Sequence, residues 1–434
     1  MKKKLGGISL PRLGNTAVLA PETIPMPSEV RLAMSLRFAK PANLIVNVGD
    51  NVKAGQLIGE AEGTLSSPVH ASISGKVKSI DNYDGLTGEK TVSVTITSEG
   101  GETADWGKYK LPEVTNLTEF IEAIKDSGAV GFGAEGYPTA HKFKLADCSR
   151  LDYILVNGLQ GEPYITSDSI TMVDDTEFLW KGVLLMKKHM KPKNIVICIE
   201  NNKPESVKKM QELSATVSGV EVRALPSMYP HTMGKLLAYK ITGRIVPEGG
   251  SLADIGCIVA GCTTVADFGR YIMTGQPLIS KCITVDGSAV QNPKNVIAPI
   301  GTPLRLLFDY CGGLKDDVKK IILGGPITGT AIPSLDMPVL KNTNALLAFS
   351  EKDAYPPEPS TCIKCGRCIA QCPMGLMPPN IETAFELKKP WDLKRFRVNM
   401  CVECDCCGYV CPAKRPLAQV ISLSKKILSN YEEA

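Results

Sequence analysis

The chain has 434 residues, 44% hydrophobic and 22% charged, the composition of an ordinary globular protein of two to four domains; disorder, collagen and coiled coil are excluded. Forty-nine Lys and Arg against 45 Asp and Glu leave a net charge of +4, too small for a nucleic-acid footprint, and basic residues cluster only mildly, at Lys2 to Lys4 and in the C-terminal tail. No apolar run reaches the ~18–20 residues of a membrane span, and Lys2 to Lys4 lead into Gly6, Gly7 and Ile8 rather than an apolar signal core, so a cytoplasmic chain, neither secreted nor membrane-spanning, is expected.

Residues 1 to about 105 read as β-rich, with short alternating runs such as Asn43 to Val48 and Thr91 to Ile96 between Gly, Asn and Asp turns. VGDNVKAGQLIGEAEG (Val48 to Gly63) followed by SSPVHASISGKVKSI (Ser66 to Ile80) resembles the barrel-sandwich fold of biotinyl and lipoyl domains. Their hairpin tip needs an exposed lysine, whereas Gly63 to Pro68 has none, so a structural relative rather than a swinging-arm carrier is expected. His70 is read as a packed residue, not a ligand.

From about 112 to 275 helical and strand patterns alternate. Asn116 is a candidate N-cap; Leu117, Phe120, Ile121 and Ile124 follow at helical spacing, and Gly128 sits where a C-terminal glycine belongs. Tyr153 to Val156, Asn194 to Ile199 and Val220 to Leu225 read as buried strands, with helices near 176–190, 203–213, 231–241 and 263–274. From about 278 to 348 strands and turns return in an order that suits a β-grasp-like module. The proline-rich run Tyr355 to Ser360 then marks a boundary before a domain at 355–434.

Nine of the 15 cysteines lie between Cys362 and Cys411, a density that points to metal rather than disulfides. Cys362-x-x-Cys365-x-x-Cys368-x-x-x-Cys372-Pro373 recurs as Cys401-x-x-Cys404-x-x-Cys407-x-x-x-Cys411-Pro412. Three thiolates in a tight loop hold three irons of a [4Fe–4S] cube, and the fourth, carried past the loop, reaches the other cluster. Cys362, Cys365, Cys368 and Cys411 are thereby assigned to one cluster, and Cys401, Cys404, Cys407 and Cys372 to the second. Structural zinc uses paired knuckles instead, and a radical SAM site has a single three-cysteine loop. Cys406 is left over, as a buried neighbour or an alternative ligand. Twenty-eight residues separate Cys372 from Cys401, and Ile381 to Lys389 within them is helical in pattern and a candidate docking element. Two such clusters make a wire for single electrons. Cys148, Cys198, Cys257, Cys262, Cys282 and Cys311 are isolated or in apolar runs and read as core.

Gly131, Gly133 and Gly136 match the dinucleotide fingerprint, but a helix precedes them, so a Rossmann site is a false positive. A glycine loop of another fold still approaches a flavin phosphate through backbone N–H groups, against which Glu135 repels and the Ala134 methyl crowds.

Taken together, these segments, with NGLQGEPYITSD (157–168), TGRIVPEGG (242–250), IGTPL (300–304) and ILGGPITG (322–329), resemble the C subunit of the Rnf electron-transport complex along nearly the whole chain. The resemblance implies a multidomain α/β plus β fold: barrel-sandwich, complex I flavoprotein-like α/β domain, β-grasp module and two-cluster ferredoxin. It implies a cytoplasmic oxidoreductase subunit, peripheral on the membrane, that passes electrons between a nucleotide or flavin and its clusters, with electron-transfer subunits and NADH as partners. Cofactor contacts map to Gly131, Gly133, Gly136, Asn157 and Glu162, with no catalytic side chain. The family's usual loops differ here: GAEGYP (133–138) replaces Gly-Gly-Ala-Gly-Phe-Pro, Gln160 replaces a glutamate, and Tyr229-Pro230-His231-Thr232 replaces Tyr-Pro-Gln-Gly. These changes leave FMN binding open and suggest that NADH oxidation is lost. The alternative is a soluble electron relay to a partner reductase, resembling the protein associated with proline reductase, with a degenerate FMN/NADH site. A redox sensor has no DNA-reading motif to support it.

Overall fold

The computed structural model describes all residues except 1–4, 12, 18, 37, 38, 64, 87, 89, 101–108, 132–135, 147 and 434. In the N-terminal unit, strands Glu29–Ala33, Lys90–Ser98, Gly75–Asp84 and Asn51–Val52 form one sheet in that order, and Asn43–Leu44, Leu57–Glu60 and Val69–His70 a second. Period-two alternation drives Val30, Leu32, Val94 and Ile96 inward, where they meet Ile58 and Val69 of the facing sheet and Ile73 of the bend that follows it. His70 is buried in this unit, and burial, then the nearby Lys341 charge, pushes its pKa down to about 3, so it is a neutral packed side chain. The first residues leave the sandwich. Ile8 bridges to Tyr229, and Glu22–Thr23 pairs in parallel with Lys294–Pro299.

The central unit is a four-stranded parallel sheet in the order Val220–Leu225, Asn194–Glu200, Tyr153–Gly158, Cys257–Gly261. Asn116 caps the helix Leu117–Asp126 as its sequence position requires, accepting from Glu119 N at 3.0 Å, and Gly128 follows the helix at φ 72°. Helices Thr176–Met190 and Cys262–Thr274 pack closely because their contact is lined with glycine: a Cβ on Gly269 would lie 2.1 Å from Phe178 O, and one on Gly182 2.5 Å from Val265 O. Strands are added on both sides of Tyr153–Gly158, first towards Asn194–Glu200 and later towards Cys257–Gly261. A switch point of this kind opens a crevice at the strand C-termini.

The third unit is a six-stranded sheet, ordered Glu22–Thr23, Lys294–Pro299, Ser280–Asp286, Ala345–Ser350, Val318–Leu323, Thr330–Ala331, with helix Leu304–Tyr310 over a core that includes Ile283, Val285, Phe308 and Leu346. Lys341 fastens it to the other two. Its buried Nζ donates to Ser67 Oγ (2.9 Å), Pro68 O and Gly128 O (3.1 Å). Short helices, Arg367–Gln371, Pro378–Glu386, Pro390–Arg395 and Cys406–Tyr409, then pack with the long helix Leu417–Glu433 around Leu376, Ile381, Leu393, Val398 and Ile421. Among the described residues no helix is long and apolar enough to cross a membrane.

Candidate functional site

A large cavity opens at the switch point, beside the ends of Tyr153–Gly158 and Cys257–Gly261, and encloses about 1330 Å³ with its mouth. Gly131, Asn157 and Glu162 line it, as the sequence suggests. Gly136 does not line it; in left-handed conformation it packs towards Asn342. Gly133 lies outside the described residues.

Two of the expected side chains brace the walls. Asn157 Nδ2 donates to Thr232 O (2.9 Å) and its Oδ1 accepts from Leu159 N (3.2 Å). Glu162 reaches across to the third unit, where its carboxylate accepts from Ile327 N (2.8 Å), Thr328 N (3.2 Å) and Thr328 Oγ1. The turn leaves no room for more, since a Cβ on Gly325 would meet Glu162 Oε2 at 2.1 Å. Glu162 therefore clamps the segment Gly325 to Thr328 over one side of the cavity.

Of the polar atoms left for a ligand, those of Gln160 and Tyr229 lie in loops that the sequence marks as altered, and that of Asn344 lies in no motif. Gln160 Nε2, Tyr229 Oη and Asn344 Oδ1 are buried without a partner, and all three residues line the cavity with Lys142 and Asp168. Gln160 Oε1 is already occupied by Ser169 Oγ (2.6 Å) and Lys203 Nζ. Buried groups without partners are costly, and three in one cavity mark a place where a ligand or water completes them. His231 does not line the cavity. Lys240 Nζ donates to its Nδ1 (3.0 Å), so Nε2–H donates to Gly6 O (3.2 Å), and burial lowers its pKa. That replacement therefore anchors the N-terminal segment and leaves the cavity wall to Thr232.

The two cysteine motifs fold alike. Lys364 and Glu403, each just before a second cysteine, have φ 57° and 55°; Gly366 and Asp405, just after it, 73° and 51°; Gly375 and Lys414, three past the last cysteine, 68° and 51°. Each loop runs into a short helix, Arg367–Gln371 and Cys406–Tyr409, and these pack together. Cys372, Cys401, Cys404 and Cys407 line one pocket, with Cys406 beside them. Backbone N–H groups point at two of these sulfurs, Leu376 N at Cys372 Sγ and Glu403 N at Cys401 Sγ, both 3.3 Å. On the other side burial, and then the neighbouring Cys411 and Cys362, raise the Cys368 thiol pKa. Cys365 of the same loop is exposed. Among the described residues no three His, Cys, Asp or Glu converge closely enough for one metal ion; the sulfurs surround a pocket instead. Cys198, Cys257, Cys262 and Cys311 are buried elsewhere, and burial pushes each thiol up to about 12, as for packed cysteines.

One residue belongs to both places. Tyr229, 3% exposed, lines the cavity and packs with Ile8, Cys404 and Cys406. Burial, then the Glu162 carboxylate and Cys404, hold its phenol well above the ordinary range, so it is a neutral hydroxyl.

Residues 3–101 match the family described as the RnfC barrel sandwich hybrid domain, residues 124–269 the Nuo51 FMN-binding domain, and residues 282–331 the SLBB domain. The chain is 34% identical over 368 residues to the C subunit of the Na(+)-translocating ferredoxin:NAD(+) oxidoreductase complex of Acetobacterium woodii, over 84% of this chain and 83% of that one. Against the proton-translocating counterpart of Clostridium ljungdahlii it is 33% identical, covering 82% and 78%. The C subunit of the ion-translocating oxidoreductase complex of Rhodobacter capsulatus is 32% identical, covering 82% and 70%.

Proposed function

The chain belongs to the family of the C subunits of Rnf-type ion-translocating oxidoreductase complexes, and from that membership we propose that it is an iron–sulfur electron-transfer subunit whose wire begins at the switch-point cavity. The C-terminal domain is read as a ferredoxin-like unit with two [4Fe–4S] clusters, held by Cys372, Cys401, Cys404 and Cys407 and by Cys362, Cys365, Cys368 and Cys411. The third unit, matched to the SLBB family, is read as the β-grasp module.

The observation that carries the reading is Tyr229, which forms a wall of the cavity on one side and packs against Cys404 on the other. The first cysteine set named is therefore the inner one, and the second, with exposed Cys365, the outer. The donor set suits the clusters: thiolates around a pocket, with N–H groups aimed at sulfur.

The cavity suits FMN. Lys142 and the Gly131 backbone would hold its phosphate, while Gln160 Nε2 as donor, Asn344 Oδ1 as acceptor and the Tyr229 hydroxyl would meet the polar edge of its ring. Bound FMN would supply the exchange between a hydride and two single electrons that NADH chemistry requires. This chain's own part would be to orient that ring and exclude water behind the Glu162 clamp, with the Tyr229 phenol between the cavity and Cys404. Kinship with subunits of membrane complexes favours assembly with other electron-transfer subunits, peripherally on the cytoplasmic face, over a free-standing relay.

The test is anaerobic purification with flavin quantified and NADH added while cluster absorbance is followed. FMN with NADH-dependent bleaching is expected, against the loss that the altered loops suggest, because Gln160 and Tyr229 still present polar atoms to the cavity and His231 lies off it. Clusters without flavin and without bleaching would instead make the chain a relay fed by a partner protein.

A further inference from the structure

Resting on this electron-transfer reading, we propose that Cys406 is no ligand but a positioning residue, a hydrogen-bond donor that acts through Cys404 to make the inner cluster easier to reduce. Cys406 lines the same pocket as Cys372, Cys401, Cys404 and Cys407, and it is 0% exposed. Its side chain is hydrogen-bonded to that of Cys404. A cysteine that ligates iron is a thiolate and can only accept, so the Cys406 S–H is the donor of the pair. The two cysteine loops share a backbone but not this contact. Asp405 and Gly366 are both left-handed, at φ 51° and 73°, and each leads into a short helix whose first residue is Cys406 in one loop and Arg367 in the other. Arg367 is exposed, whereas Cys406 packs in an apolar cluster with Ile8, Tyr229 and Cys404.

Sulfur arithmetic decides between the two roles open to this residue. A cube of four irons takes one protein sulfur at each iron, and Cys372, Cys401, Cys404 and Cys407 already place four around the pocket. Cys404 and Cys407 stand where Cys365 and Cys368 stand in the outer loop, so the repeat leaves Cys406 as the fifth sulfur, which keeps its proton. A donor to a ligand sulfur draws charge away from the cluster and favours the state that holds one more electron; hydrogen bonds of this kind are among the levers that set such potentials. Backbone N–H groups reach Cys372 Sγ and Cys401 Sγ, both at 3.3 Å, and the Cys406 thiol adds a side-chain donor at a third sulfur of the set. Behind Ile8 and Tyr229, away from water, that bond is electrostatically stronger than it would be at the surface. The outer set, with exposed Cys365, has no counterpart to it, since Arg367 occupies the matching position.

The experiment compares the full chain, purified anaerobically, with Cys406→Ala, Cys406→Val and Cys406→Ser, by iron and acid-labile sulfide content and by redox titration followed with low-temperature EPR. Cys406→Ala and Cys406→Val, the second of which fills the apolar space, are expected to keep about eight irons. One of the two midpoint potentials should fall in both, by about three- to tenfold in the reduction equilibrium, the upper end being about 59 mV for one electron, while the other stays. Cys406→Ser keeps a donor and should return that potential to the parent's value or above it, and Cys198→Ala, a buried cysteine of the central sheet, should move neither. Loss of about four irons in both Cys406→Ala and Cys406→Val would make Cys406 a ligand and overturn the proposal. Parent-like potentials in those two variants would show that the bond does not tune the cluster, and an equal fall in Cys406→Ser would assign the effect to packing; either result overturns it. Parent protein that holds zinc without acid-labile sulfide would overturn the electron-transfer reading itself, and this inference with it.

Discussion

Replacing Glu162 by Ala should release the segment over the cavity without unfolding the chain. The carboxylate is the partner of the Ile327 and Thr328 amides, at 2.8 and 3.2 Å, and also receives the Thr328 hydroxyl. Hydrogen bonds to a charged acceptor contribute about 1.5–3 kcal/mol each, but water can satisfy amides released from the clamp, so a net loss of about 2–3 kcal/mol in local closing free energy is expected. At 1.36 kcal/mol per decade this is about a 30- to 150-fold faster exchange of those two amides with solvent deuterium. Gly325→Ala should act in the same direction by driving a methyl into the carboxylate. Exchange is read by NMR or by peptide mass spectrometry over 325–329, with the sheet amides of Ile195 to Ile199 as an unaffected reference. Unchanged exchange at Ile327 and Thr328 in Glu162→Ala would show that the clamp does not hold this segment, and the structural role given to Glu162 would fall.

Three further outcomes follow from the same geometry. Lys341 is buried with its pKa pushed down to about 7 by desolvation, so between pH 7 and its unfolded pKa the unfolded chain binds a proton that the folded chain lacks, and stability rises with pH. A gain of about 2–3 kcal/mol from pH 7 to 9 is expected in denaturant titrations and should vanish in Lys341→Met; an equally steep rise in the variant would contradict the assignment. Tyr229→Phe removes a buried hydroxyl that has no partner, so thermal stability should hold or rise slightly while FMN affinity falls about five- to tenfold; equal FMN affinity would mean the hydroxyl does not serve the ligand. Crossed ligation is tested by pairs: Cys362→Ser with Cys411→Ser should retain about four irons, whereas Cys362→Ser with Cys372→Ser should lose both clusters. Reversal of that pattern would place each fourth cysteine with its own loop.

Much of this was legible where chemistry and spacing coincide. The duplicated cysteine pattern is local, and the left-handed residues at matching positions of both loops, Lys364 with Glu403 and Gly375 with Lys414, answer to it. Asn116 and Gly128 bound their helix because capping is a local matter. The strand Cys257–Gly261 is not marked in sequence, since five residues of CIVAG run straight into a helix, yet it creates the switch point and hence the cavity. Helices Thr139–Lys144 and Ser167–Asp174 are short and weakly patterned. Ligand-facing atoms were the least readable. Asn157 and Glu162 stand in recognisable motifs but are tied to backbone, whereas Gln160 and Tyr229 stand in loops marked only as departures from the family pattern, and Asn344 in none; tertiary burial is what leaves each with a polar atom without a partner. The N-terminal segment, too, pairs with the central and third units through contacts hundreds of residues away, which no local pattern encodes.

The most direct measurement is the iron, acid-labile sulfide and zinc content of anaerobically purified protein, together with its low-temperature EPR spectrum after reduction. About eight irons and eight sulfides per chain with two interacting [4Fe–4S] signals are expected. Zinc bound at the cysteines with no acid-labile sulfide would contradict the account at its centre.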